Sequence, residues 1–397
     1  MKNKASFNLF FSIILICLLG IGHQAEAKIG NNGRIPEKYI PSLKQMQFAL
    51  EYYFLNDLSR SKRVTIRPNP NPSKLEFAVQ NDKSVDQALN KTGLFSYLLY
   101  KNGKVVVDAK SPGNRFGALF NDNTGLNSQS VGKSFAGYLL GHAICQGYIS
   151  SLDEKMNWPL LKGTLYEGQP LINFVNMKTG DSKYFRSSDV KFKNKKKRKN
   201  VNRETIKYWG QELKGKKNSK NARFSYNGLL SNIIQNYIMY KTGNDYYAFL
   251  KKVYTDQVGL ANFMHIVKIK DDKAKTADGF LRSTTFASRY DYLRIARAML
   301  NDWQQDTCVG KYLKEIDERR IKGLPKNKQD HNASWNSYSY GGFFHMNIQG
   351  TKGKVFGMNG YGGQNVFINF DTGTIVVAHA VHNNYNYRKL VFSAVSK

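Results

Sequence analysis

The sequence predicts an α/β fold of the α+β kind, in which both ends of the chain build one sheet layer around a helical middle. Three observations point there. Phe95–Tyr100 and Lys104–Ala109 are β-prone runs flanking Lys101-Asn102-Gly103, and Asn-Gly between such runs is a strong hairpin signal. The C-terminal third returns to strands: Tyr338–Ile348, Lys354–Met358, Gln364–Phe370 and Thr374–Val381, the last two joined by Asp371-Thr372-Gly373. Between these regions, from about Leu152 to Leu260, the apolar spacing is mostly helical with long polar connections.

The elements follow in order. Residues 1–27 read as a signal peptide: Lys2 and Lys4 form a basic start, Phe7–Gly22 is uncharged and mostly apolar, and Ala25-Glu26-Ala27 supplies small residues for cleavage. A membrane anchor is the alternative, but the apolar stretch is shorter than the roughly 20 residues a spanning helix needs. A lipid-attached Cys17 is disfavoured by the bulky Ile16 before it. A periplasmic or secreted protein is therefore expected. The spacing of Leu43, Met46, Phe48, Ala49, Tyr52 and Phe54 predicts an amphipathic helix over 41–58. A helix starts near Ser130 and runs to Gly147, which would close its C-terminus. Tyr385–Val395 reads as a closing helix. The chain divides into the leader, an α/β part over 28–150, a helical lobe over 151–275 that includes a basic insertion at 189–221, and a second α/β part over 276–397.

Composition bounds the function. Of 397 residues, 41% are hydrophobic and 13% aromatic, which suits a globular core and excludes disordered, collagen-like and disulfide-scaffold classes. Lys and Arg outnumber Asp and Glu by 60 to 29, giving a net charge of +31. Such a surplus attracts polyanions, yet Lys, Asn, Tyr, Phe and Ile are abundant together, so a general compositional bias explains most of it. No nucleic-acid partner is expected. The runs KFKNKKKR (191–198) and KGKKNSK (214–220) form a solvated insertion, with contact to an anionic surface through 191–220 as the alternative. Beyond the leader only Cys145 and Cys308 remain, and the sequence leaves their pairing open.

The sharpest chemical signal is Ser130-Val131-Gly132-Lys133. A serine hydroxyl needs a base within hydrogen-bond reach to act as a nucleophile. At a helix start, positions i and i+3 share one face, and burial together with the helix N-terminus lowers a lysine's proton affinity. Gly132-Lys133-Ser134 also resembles the end of a phosphate-binding loop, but that motif needs glycine at position 127, where Asn127 stands, and a preceding apolar strand that is absent. The histidines predict no metal site: His379 and His382 would point to opposite faces of a strand, and His345 reads as a core histidine. No cofactor is expected.

Further residues follow in a recognisable order. Gly147-Tyr148-Ile149-Ser150-Ser151-Leu152-Asp153, Leu171–Gly180, Phe224-Ser225-Tyr226-Asn227-Gly228, Lys241–Tyr246 and Gly360-Tyr361-Gly362-Gly363-Gln364 succeed the Ser-x-x-Lys motif. In this, the chain resembles the serine hydrolases of the class C β-lactamase and penicillin-binding-protein superfamily, in particular the esterase and 6-aminohexanoate-dimer-hydrolase-like branch. The resemblance covers about Phe95 to Val395. It implies a β-lactamase/transpeptidase-like fold, an antiparallel sheet flanked by helices with an inserted all-helical lobe. It also implies an ester or amide substrate, a small molecule or peptide, cleaved through an acyl-serine intermediate. Ser130 would be acylated, Lys133 would activate it, and Tyr226 would act as a second acid/base. The oxyanion hole would be the backbone N–H groups of Ser130 and Tyr361. Asn227, Asn359, Gly360, Gly362, Gly363 and Gln364 would contact substrate.

Two departures qualify the match. The asparagine of the family's Tyr-x-Asn motif should stand at position 228, where there is Gly228, with Asn227 one position early. The Lys-Thr-Gly strand is represented by Met358-Asn359-Gly360, without a cation. The literal strings Lys178-Thr179-Gly180 and Lys241-Thr242-Gly243 precede the strand region and read as helix ends. The alternatives to an esterase or amidase are a D-alanyl carboxypeptidase or β-lactamase, or a non-catalytic penicillin-binding-like module that holds a polyanion.

Overall fold

The computed structural model describes residues 63–181, 222–268, 280–324 and 336–397, with Tyr184, Ile206, Gly210 and 213–217. The leader, the helix expected over 41–58 and the run 191–198 lie outside the described residues. Those described belong to one unit, 37–397.

Alternating apolar residues build the main sheet. It has eight strands in the order β2-β4-β3-β12-β11-β10-β9-β8: β2 (Glu76–Phe77), β3 (Leu94–Lys101), β4 (Lys104–Lys110), β8 (Ser337–Gly341), β9 (Phe344–Ile348), β10 (Val355–Gly360), β11 (Gln364–Asn369) and β12 (Thr374–Ala380). Among the described strands of this sheet only β2–β4 is a parallel pair. The N-terminal hairpin is joined to the C-terminal strands by β12, whose Val376 and Val377 face Leu99 and Leu98. The period of two sorts the sheet's side chains. Tyr97, Val376, Ala378 and Phe367 face a small core closed by α1 (Lys83–Lys91) and the C-terminal helical segment Arg388–Ser393. Leu98, Ile375, Val377, Val366 and Ile368 face the large core.

At the centre of that large core lies α2 (Val131–Cys145), nearly all of it buried. Its glycines permit close approach: a Cβ on Gly132 would stand 2.1 Å from the Ser283 carbonyl, and one on Gly137 2.3 Å from the Gly342 carbonyl. Around it pack α3 (Leu171–Val175), α4 (Gly228–Thr242), α5 (Tyr246–Leu250) with its helical continuation Lys251–Val258, α6 (Arg289–Gln304) and α7 (Cys308–Glu318). The α+β architecture expected from the sequence is therefore present.

Several details differ from expectation. Tyr338–Ile348 is not one strand but the β8–β9 hairpin, turning at Gly342 and Phe343, both with positive φ (60° and 67°). A second sheet, β1-β6-β7-β5, is formed by β1 (Arg63–Ile66), β5 (Leu126–Asn127), β6 (Met264–Lys268) and β7 (Leu281–Ala287). The strand β6 thus closes the segment read from sequence as helical. Lys241-Thr242-Gly243 does end α4, with Gly243 at φ 56°. Cys145 and Cys308, left open by the sequence, form a disulfide that joins the end of α2 to the start of α7.

Candidate active site

The short strand β5 delivers the chain to α2 through a tight approach. Ser128 exchanges hydrogen bonds with β7, its N–H donating to the Thr285 carbonyl and its hydroxyl accepting from the Thr285 N–H. Asn127 Oδ1 accepts from the Gln129 N–H, and Gln129 is held at φ 50°, a conformation that costs a non-glycine residue energy and must be maintained by such surroundings. Ser130 follows at the N-cap of α2. Serine at an N-cap ordinarily accepts from a backbone N–H, but this hydroxyl makes no capping bond. Instead Lys133 Nζ donates to Ser130 Oγ at 2.7 Å. Both residues are half-buried.

Two further segments converge on Lys133. Ser225 N–H donates to the Met177 carbonyl, which fixes the extended stretch before α4 and places the Tyr226 ring centroid 5.2 Å from Lys133 Nζ. Gly228 follows: a Cβ there would lie 3.9 Å from Lys133 Cε. The position where the resemblance calls for asparagine therefore abuts the lysine and carries no side chain. From the sheet, the end of β10 reaches the segment that leads into Ser130. A Cβ on Gly360 would come within 2.7 Å of the Ser128 carbonyl and 3.0 Å of Gln129 Cβ, so the strand can close on the site only with glycine here. Residues 360–363 then turn, Gly363 N–H donating to the Gly360 carbonyl, with Gly362 and Gly363 at φ 85° and 103°. Tyr361 lies in that turn, half-buried.

Three of the side chains expected to contact substrate are engaged elsewhere. Asn227 caps α4, its Oδ1 accepting from the Leu229 N–H and its Nδ2 donating to Asp181 Oδ2. Asn359 donates to Asn365 Oδ1 within the sheet, because alternation turns position 359 toward the small core while Gly360 faces the site. Gln364 is buried, and its Nε2 donates to the Ala380 carbonyl. Met358, where the family pattern has lysine, is fully buried.

One residue escaped the sequence reading. Asp181 is buried, accepts from Tyr166 Oη and Asn227 Nδ2, and is pushed above its usual carboxylate range by that burial. It anchors the residue beside Tyr226, and nothing in its local pattern distinguishes it from a surface acid. His345 is a core histidine, its Nδ1 2.9 Å from Ser337 Oγ, and burial, then the nearby Lys133 charge, pushes its pKa down to about 3. Among the described residues no group of three or more His, Cys, Asp or Glu is placed to hold a metal.

No family model matches the chain, and no curated protein matches it in sequence. Solved structures do. A Bacillus anthracis protein described as a 6-aminohexanoate-dimer hydrolase aligns at 15% identity over 85% of this chain and 89% of its own, with a TM-score of 0.60. The fold is that of the β-lactamase/transpeptidase-like proteins. A D-amino acid amidase from Ochrobactrum anthropi gives a TM-score of 0.54 at 13% identity, covering 77% of this chain and 93% of its own. A penicillin-binding protein homologue from Pyrococcus abyssi gives 0.53 at 16%, covering 78% and 74%. Within this β-lactamase/transpeptidase-like fold, the Ser-x-x-Lys segment of the chain opens the central helix, and the strand bearing Gly360 ends beside it.

Proposed function

We propose that the protein is an exported serine hydrolase that cleaves an ester or amide through an acyl-enzyme on Ser130. The observation that carries this reading is the 2.7 Å contact between Lys133 Nζ and Ser130 Oγ beside the Tyr226 ring. In its unprotonated form Lys133 accepts the hydroxyl proton as Oγ attacks the substrate carbonyl, and the amine so protonated, with Tyr226 as relay, returns a proton to the leaving group. Water then attacks the acyl carbon and gives a proton to the same pair, which passes one to Ser130 Oγ as the acyl carbon–Oγ bond breaks and the acid product leaves. The backbone N–H groups of Ser130 and Tyr361 are the donors assigned to the developing oxyanion.

Small esters and amides fit better than β-lactams or D-Ala-D-Ala peptides. Those ligands carry a carboxylate beside the scissile bond, and the strand end offers it buried Met358 and inward-turned Asn359. A hydrogen bond between charged partners is worth about 1.5–3 kcal/mol, roughly ten- to a hundredfold in specificity. A fluorophosphonate probe should label Ser130, located by mass mapping. kcat/KM for a short-chain p-nitrophenyl ester should exceed that for nitrocefin. Failure to label Ser130 would favour the non-catalytic binding module, and faster nitrocefin turnover would favour the β-lactamase reading.

A further inference from the structure

At the far end of α2 from Ser130 lies a cavity of about 480 Å³, between α2, α6, the continuation Lys251–Val258 and the start of α7. Tyr138 is the first residue of α2 to line it, eight positions after Ser130 and so roughly 12 Å along the helix at about 1.5 Å per residue; neither Ser130, Lys133 nor Tyr226 lines it, so it is no part of the site described above. Its wall is rich in positive charge. Lys252 has no ion pair or hydrogen bond among the described residues. Arg297 donates to the Lys74 carbonyl and Ser73 Oγ and, among the described residues, faces no carboxylate at ion-pair distance. Arg294 also lines it, already paired with Asp291 at 3.1 Å. The lining's one acid, Asp302, is occupied, accepting from Tyr138 Oη and Thr307 Oγ1.

The neutral groups point the same way. Nε2 of Gln146 and Nε2 of His142 are buried without a hydrogen-bond partner, and His142 is only 3% exposed. A buried amide donor left unpaired is costly, and an oxyanion supplies the acceptor it lacks. Burial first, and then the Lys252 charge, keeps the His142 imidazole neutral, its pKa pushed down to about 3. The volume lies within the range of small-molecule sites and exceeds what a bare inorganic ion fills.

We propose that this cavity is a second binding site, for a small organic anion whose phosphate or carboxylate head is held by Lys252 and Arg297 and whose body accepts from the Gln146 amide. The head is the shared chemistry, and the choice of probe separates its two forms. Binding of glycerol 3-phosphate and of succinate is measured by calorimetry and by shift of the melting temperature, against sodium chloride at matched ionic strength. At least one should bind saturably and raise the melting temperature. Lys252→Gln, which removes an exposed residue with no described partner, should weaken that binding about tenfold, as should Arg297→Gln. The double variant Lys83→Gln/Lys91→Gln removes two exposed charges at the ends of α1 and should bind as wild type does. This control matters in so basic a chain, where diffuse attraction alone gathers anions. If neither probe saturates beyond the chloride control, or if Lys252→Gln binds as tightly as the α1 control, the proposal is overturned.

Discussion

Ser130 stands at a helix N-cap, yet its hydroxyl makes no capping bond and instead accepts from Lys133 Nζ. A capping serine lowers the energy of its helix; this one leaves that role unfilled, which is the kind of local inconsistency that marks a site. Gln129, at φ 50° just before it, is a second departure of the same sort. If the two side chains act as one unit, Ser130→Ala and Lys133→Ala should each lower kcat/KM on the true substrate by about 10³-fold or more, and the double variant should be little worse than either. Melting curves of the variants distinguish lost chemistry from lost folding. Retention by Ser130→Ala of more than about a tenth of the activity would rule the serine mechanism out. The pair was legible in sequence because i and i+3 spacing at a helix start is local. The fate of Asn227, Asn359 and Gln364 was not: each is consumed by a partner distant in sequence or by sheet alternation, neither of which a motif records.

Among the elements, α2 carries the most constraint. Gly132 lies against β7 and Gly137 against the β8–β9 turn, while Tyr312 of α7 donates through Oη to the Gly137 carbonyl. The Cys145–Cys308 disulfide closes a separation of 163 residues at the far end of the helix. In the chain-entropy account such a loop contributes about 5 kcal/mol by restricting the unfolded chain. Cys145→Ser/Cys308→Ser should accordingly melt several degrees lower, while ester turnover at 25 °C stays near wild type because Ser130 is at the opposite end. An unchanged melting temperature would show that the bond adds nothing to stability. The Asn-Gly hairpin and the β11–β12 turn were readable because turn chemistry is written in adjacent residues. The split of Tyr338–Ile348 has a local signal in Gly341-Gly342, glycines in the middle of an otherwise strand-like run. The small sheet left no signal: β1 and β6 pair across about two hundred residues, and short strands without a local partner carry little periodicity.

For the molecule as a whole, charge and buried imidazoles together set the response to acid. His142, His345 and His379 are each almost fully buried, in three different parts of the fold. Burial first, and then the neighbouring cations Lys252, Lys133 and Arg289 respectively, pushes all three down to about 3. An unfolded chain binds protons at these rings near pH 6.5, whereas the folded chain does so only near pH 3. The folded state is therefore favoured in full above pH 6.5 and loses stability as pH falls from 6.5 toward 3, at roughly 1 kcal/mol per pH unit for each ring. Asp181 and Asp302 act in the opposite sense, since burial raises their carboxyls and the folded chain takes up their protons more readily than the unfolded one. Carboxylates held low by partners, such as Asp122 beside Lys110 and Arg289, add to the acid loss but below the window in which the histidines act. Between pH 7 and pH 5 the histidines should dominate. Urea unfolding at pH 7, 6 and 5 should show stability falling by several kcal/mol. His379→Asn, which removes one titrating ring from beside Tyr292, should flatten that slope even though the variant begins less stable at pH 7. A wild-type stability independent of pH across this interval, or an unchanged slope in His379→Asn, would mean that the buried imidazoles are not what couples this fold to acid.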